Sequence, residues 1–272
     1  MFTPRASLLF AACLVLNAVL PAYGATIPIR VTVRNLAPAG GTFLTPFWVG
    51  FHDGTFDIYN SGESASAALE RLAEDGDTTP ISNDFAASGA GAVQGVLFGS
   101  MIPPIAPGKT ASMTFLLDSM SPTSRHFSYA SMIIPSNDAF VANGNPTFFQ
   151  VFDPMGTFIG GSFTVAGGMV LDAGTEVNDE IPMNTAFFGQ MMPNTGVPQN
   201  GVVMLHPGFL SVGSGGILDN AMFANADFRA AGYQIAEVTL EAVPEPATFG
   251  LAGAATALAL AARSIRRGKI RS

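Results

Sequence analysis

Between positions 27 and 33, Ile27, Ile29, Val31 and Val33 alternate with Pro28, Arg30 and Thr32. A period of two sets one face of an extended segment on a core and the other in water, so this stretch predicts a half-buried strand. Positions 35–41 read as a turn. Positions 43–51, from Phe43 to Phe51, read as a second strand. In it Pro46 demands an edge or a bulge, because proline has no N–H to give to a ladder. The period then changes. Ala67, Ala68, Leu69, Leu72 and Ala73 recur at helical spacing, Ser64 or Ser66 can cap their start, and Gly76-Asp77 should close a short helix within 63–75.

Beyond Pro80 short apolar runs return at 92–98, 111–117, 126–134, 147–152, 202–205 and 234–240, cut by Gly, Pro, Asn and Asp. Many short strands separated by turn residues predict an all-β antiparallel sandwich or barrel rather than βαβ units, with one or two short helices in its loops. No internal repeat or low-complexity linker interrupts the chain before Val243, so a single domain over 26–243 is expected.

Both ends differ from this body. Residues 1–25 carry Arg5, an apolar stretch over 8–20 and the small-residue end Pro21-Ala22-Tyr23-Gly24-Ala25, the layout of a secretory signal peptide cut after Ala25. The single cysteine, Cys13, falls inside that leader, so the mature chain folds without disulfides, which a core of this size allows. At the other end Pro244-Glu245-Pro246 precedes an apolar run over 247–262 and then Arg263, Arg266, Arg267, Lys269 and Arg271. Sixteen helical residues reach about 24 Å, slightly short of the ~30 Å hydrocarbon layer, and the basic cluster is expected to stay in the cytoplasm.

Removing both ends leaves six basic against nineteen acidic side chains, a more acidic body than the whole chain with its formal charge of −8. A surface of that sign repels phosphate backbones and attracts cations, so nucleic acid is not an expected partner.

Enzyme signatures are scarce. There is no Gly-x-Ser-x-Gly elbow, no phosphate-cradling glycine loop, no His-Glu-x-x-His and no cysteine nucleophile, and His52, His126 and His206 read as turn or strand-end residues. The carboxylates stand out instead. Asp172-Ala173-Gly174-Thr175-Glu176-Val177-Asn178-Asp179-Glu180 places four acidic side chains in nine residues after the apolar Met169-Val170-Leu171. A strand running into such a loop suits calcium, which takes six to eight oxygens in irregular geometry, and Gly174 permits a turn that faces Asp172 and Glu176 to one point. The spacing is not that of an EF-hand. Asp179 is a candidate outer ligand, and His52-Asp53 is either a loop ligand pair or, as the simpler reading, a turn ending a strand.

A second segment, Ser131-Met132-Ile133-Ile134-Pro135-Ser136-Asn137-Asp138, likewise runs from a strand into a polar turn. Together these two loops resemble the spondin N-terminal domain family. The likeness extends through Val31-Thr32-Val33-Arg34-Asn35-Leu36, Phe51-His52-Asp53-Gly54, Gly62-Glu63-Ser64-Ala65-Ser66, Leu72-Ala73-Glu74-Asp75-Gly76-Asp77 and Ala236-Glu237-Val238-Thr239-Leu240. The C-terminal Pro-Glu-Pro, apolar run and basic cluster resemble the PEP-CTERM sorting signal of exopolysaccharide-producing Gram-negative bacteria. The first resemblance implies a β-sandwich like that of C2-type calcium- and lipid-binding domains, with Asp138, Asp172 and Glu176 as calcium ligands. It departs from the animal pattern in carrying Glu176 where aspartate is common, and in lacking disulfides. The second implies an exosortase as processing partner, transient residence of 247–262 in the inner membrane, and a product in the cell envelope or outside the cell.

The expected function is a non-enzymatic, calcium-binding adhesion or matrix module that contacts an extracellular protein or polysaccharide. Two other classes remain open. A structural surface or matrix subunit could self-associate through the Met-rich stretch Phe187-Phe188-Gly189-Gln190-Met191-Met192-Pro193. A polysaccharide hydrolase could use Asp and Glu as acid and base, although the single Trp48 and four tyrosines supply little of an aromatic sugar platform.

Overall fold

A computed structural model describes residues 25–99 and 103–244; the expected leader, and the Pro-Glu-Pro tail with its apolar run at 247–262, lie outside the described residues apart from Ala25 and Pro244. The strands are β1 (Thr26–Asn35), β2 (Phe43–Leu44), β3 (Phe47–His52), β4 (Val93–Leu97), β5 (Thr110–Asp118), β6 (His126–Ile134), β7 (Ala139–Ala142), β8 (Phe149–Gln150), β9 (Ser162–Ala166), β10 (Leu171–Asp172), β11 (Met204–Leu205) and β12 (Gln234–Ala242). Helices α1 (Ala67–Asp75) and α2 (Thr79–Ser88) follow β3. One antiparallel sheet has the order β5-β1-β12-β9; the larger has β11-β10-β7-β6-β3-β4, with β2 and β8 also paired to β6.

The alternation read at the start of the chain is what builds the sandwich. Ile29, Val31 and Val33 of β1, with Val238 and Leu240 of the adjoining β12, face Phe47, Val49 and Phe51 of β3 and Phe127, Tyr129 and Ile133 of β6 across one core. Every residue of β3 and β6 is buried, because the large sheet is covered on both faces. On its far face Trp48, Ala130, Phe140 and Leu171 pack against Leu69 and Leu72 of α1 and Phe85 of α2. A strand covered on both sides has no solvent face, so Ser128 and Ser131 of β6 are buried along with its apolar residues.

Helix α1 begins where Ser66 accepts a hydrogen bond from the Leu69 N–H, and ends at Gly76 in the left-handed region. Of the two places open to Pro46, the register selects the bulge: β3 lies inside the sheet between β6 and β4, and from Leu44, opposite Ile133, to Trp48, opposite Ala130, the chain carries one residue more than β6, so no ladder bond is required of the proline. The second short helix, α2, takes Pro80 in its first turn, a position that needs no N–H, and strands resume at β4. No helix among the described residues is long and apolar enough to cross a membrane.

Candidate functional site

The turn after β6 and the loop after β10 meet because β7 pairs with β10, setting Ala139 opposite Asp172. Asp138 is thereby delivered to the base of the second loop, and the Ala173 N–H donates to the Asp138 carbonyl at 3.2 Å. The Asp138 side chain goes further into it. Its Oδ2 accepts the N–H of Thr175 at 2.8 Å, the N–H of Glu176 at 3.1 Å and the Thr175 hydroxyl at 3.2 Å.

Asp172 accepts the Gly174 N–H on Oδ1 at 2.7 Å and the Asn178 side-chain amide on Oδ2 at 2.6 Å. Glu176 accepts the Gly196 N–H on Oε1 at 2.8 Å. The two glycines matter here. Gly174 holds φ 70°, and a Cβ on Gly196 would overlap the Glu176 carboxylate, so only glycine lets that strand of the loop come so close.

All three predicted acids are almost completely buried, at 0% exposure for Asp138, 2% for Asp172 and 3% for Glu176. Two of their oxygens, Asp138 Oδ1 and Glu176 Oε2, are buried with no hydrogen-bond partner. None of the ion pairs among the described residues involves these acids; those pairs join Arg30 to Glu241 and Arg71 to Glu74 and Asp75. Burial, together with the neighbouring Asp172, pushes the Asp138 carboxyl up to about 7 against the opposing N–H groups of Glu176 and Thr175. Burial likewise raises Asp172. Burial, then the charge of Glu74, pushes Glu176 up to about 8.

Glu74 is a member of this group that sequence reasoning did not single out. It sits on α1 at 3% exposure, with Oε2 accepting no hydrogen bond and standing 3.8 Å from Arg71, and its carboxyl is raised by burial. The only signal in the sequence was an acid within the buried face of a short helix. His206 was also passed over. It is 1% exposed, accepts the Gly208 N–H on Nδ1 at 3.0 Å, and therefore carries its proton on Nε2, 3.1 Å from Asn178 Oδ1. Since Asn178 in turn donates to Asp172, a polar chain from His206 fixes that carboxylate.

Asp179 does not turn toward the group: its Oδ1 accepts the Ile181 N–H at 2.9 Å and its Oδ2 the Asn184 amide at 2.7 Å. His52 and Asp53 form a turn, with Asp53 Oδ1 accepting from the N–H and hydroxyl of Thr55. Among the described residues no three His, Cys, Asp or Glu side chains are already set as a metal-holding group. The donors nevertheless suit a hard cation. They are carboxylate oxygens without sulfur or nitrogen, and two buried lone-pair-bearing atoms face no donor.

Two family models match the chain. Residues 38–145 match Spondin_N, which covers Asp138 and stops before Asp172 and Glu176, and residues 242–267 match the PEP-CTERM protein-sorting motif. A search of the curated proteins found no match. The chain therefore carries a Spondin_N segment followed by a PEP-CTERM sorting signal, and is exported and processed at its C-terminus for the cell envelope or the extracellular space.

Proposed function

We propose that the mature domain is a calcium-stabilised, non-enzymatic binding module of the adhesion or matrix type, which takes a protein or polysaccharide partner in the envelope or biofilm matrix. The observation that carries this reading is the pair of buried, unpartnered oxygens, Asp138 Oδ1 and Glu176 Oε2, on two loops brought together by the β7–β10 pairing. Asp138, Asp172 and Glu176 would hold the ion, with Glu74 beside them. Calcium there would supply charge neutralisation rather than a reaction. This chain's own part is to keep the acids in place: Gly174, Thr175, Gly196 and Asn178 donate hydrogen bonds to them.

Isothermal calorimetry on the mature protein tests the ion, with Asp138→Asn and Glu176→Gln as controls. Heat of binding that both substitutions abolish supports the reading, and no heat from the wild type rejects it. Recovery of a partner from envelope and matrix extracts in calcium but not in chelator tests the module. A structural subunit is a second reading, favoured by Met191 and Met192, which stand 89% and 66% exposed beside the half-exposed Phe187. Sedimentation that changes with calcium would point to it.

A further inference from the structure

The tail that carries the sorting signal leaves the domain at one defined end. The Val243 N–H donates to the Pro28 carbonyl at 2.8 Å, and the Thr26–Asp118 and Ile29–Ala242 pairs mark the same limit of the small sheet. In the large sheet this end carries His52, His126 and Gln150. The two sheets meet there, with the Phe149 and Phe163 rings stacked at 3.9 Å, while the Leu240 N–H, donating to the Gly161 carbonyl, extends the β12–β9 pairing to the same end. The acidic loops lie at the other end, because they follow Ile134, the far limit of β6.

Large apolar side chains stand in water around the tail's exit. Leu116, opposite Pro28, is 65% exposed, Met120 39%, Phe148 69%, Met155 83% and Ile159 46%. Between Phe148, Phe149, Ile159, Phe163 and Leu240 a cavity of about 320 Å³ opens. The charged groups here stay at the surface and are held by neighbours: Asp118 accepts the Met120 N–H, Asp153 accepts those of Met155 and Thr157, and Arg30 pairs with Glu241. Exposed apolar side chains gathered as a collar around the point where the tail leaves suit a lipid interface better than bulk water.

The tether decides which apolar surface meets lipid. Pro244 and Ala247 are three residues apart, at most about 11 Å of extended chain, and the interfacial layer on each side of the hydrocarbon core is about 5–8 Å thick. Wherever the run over 247–262 is held in a bilayer, this end of the domain is held against the surface. We propose that, until its tail is cut, the domain stands on the outer surface of the inner membrane on this collar, with Phe148 and Ile159 seated in the lipid interface. Cutting the tail then removes the tether and leaves the collar as the remaining hold on the membrane. This inference rests on the sorting-signal reading and is independent of calcium.

The test uses the full chain with Cys13→Ser and one new cysteine, Phe148→Cys, Ile159→Cys or Met191→Cys, each labelled with a polarity-sensitive fluorophore. Met191 is an exposed apolar residue at the acidic-loop end. The proteins are placed in phosphatidylethanolamine–phosphatidylglycerol vesicles, recovered by flotation, and read in calcium and in chelator. Labels at 148 and 159 are expected to shift to the blue and to lose at least half of their emission to spin-labelled lipid. The label at 191 is expected to answer to aqueous iodide alone. Equal iodide quenching at all three sites overturns the proposal. So does shielding of 148 and 159 from both quenchers, which would mean that protein covers them, and so does a chain that does not float. The same contrast in calcium and in chelator is the expected result, so failure of the calcium reading leaves this one standing.

Discussion

The Asp138 carboxylate accepts the backbone N–H of Glu176 at 3.1 Å, which ties the turn after β6 to the loop after β10 through one buried oxygen. The other oxygen of the same carboxylate has no partner. One half of the side chain is therefore structural, and the other half is free to meet a cation or a proton.

Replacing Asp138 separates the two halves. Asp138→Ala strands the N–H groups of Thr175 and Glu176 and should cost about 2–4 kcal/mol, with or without calcium. Asp138→Asn can keep an acceptor for those donors, so its loss should be smaller in chelator and should show mainly as a missing calcium-induced rise in melting temperature. Thermal unfolding of the three proteins with calcium and with chelator checks this, and the sheet should survive chelation in the far-ultraviolet circular dichroism.

In chelator, stability should fall as pH rises from about 6.5 to 8, above the range in which the buried histidines contribute. The folded carboxyls of Asp138 and Glu176, near 7 and 8, bind protons that the unfolded chain, with ordinary carboxyls near 4, has already released. The folded state thus binds more protons across this window, and raising pH disfavours it. Saturating calcium should flatten the slope. Melting temperatures across this window with and without the ion measure it.

His206 gives a slope of the opposite sign. Burial, with Arg229 nearby, lowers it to about 4, while the unfolded chain titrates near 6.5. Between those values the unfolded state binds the extra proton, so stability is lost as pH falls through 6.5 toward 4. Protonation also takes from the Gly208 N–H its acceptor. A nuclear magnetic resonance titration should find this imidazole neutral at pH 6, and a ring already charged there would contradict the burial argument.

Gly196→Ala should weaken calcium binding about tenfold or more while leaving every carboxylate in the chain. The new methyl overlaps the Glu176 carboxylate, which must then leave the Gly196 N–H. Calorimetry against the wild type reads the change directly.

Glu180 should behave as a structural acid. Its carboxylate accepts the N–H of Leu210 on one oxygen and of Ile217 on the other, and its backbone sits at φ 52°. Glu180→Ala should cost about 2–3 kcal/mol and speed hydrogen exchange at Leu210 and Ile217, without changing calcium affinity by more than a few-fold.

How much of this was legible in the sequence depends on what each element packs against. The period of two in β1, the helical spacing of α1 and the apolar run of β6 follow from their surroundings and could be read directly. Helix α2 could not: among its residues only Ile81 and Phe85 are buried, too few for a periodic stripe. Strands β7 and β10 are short and gain their place from pairing with each other and with β6, which periodicity does not encode. Asp172 and Glu176 stood out as clustered acids in a polar loop, and Asp138 was picked out by the family resemblance of its turn. Glu74 and His206 were not, since they join the group only through the packing of α1 and the chain of bonds through Asn178. Their burial, not their spacing, marks them.

The pairing of β1 with β12 joins the first strand of the exported chain to its last, from Ile29 with Ala242 to Asn35 with Ala236. During secretion β1 emerges early and must wait for more than two hundred residues before its partner arrives, a closure between distant segments that is slow by nature. The small sheet can be completed only once positions 234–242 have crossed. A chain cut short before them would leave β1 paired on one side alone, with β5, and the core without Val238 and Leu240.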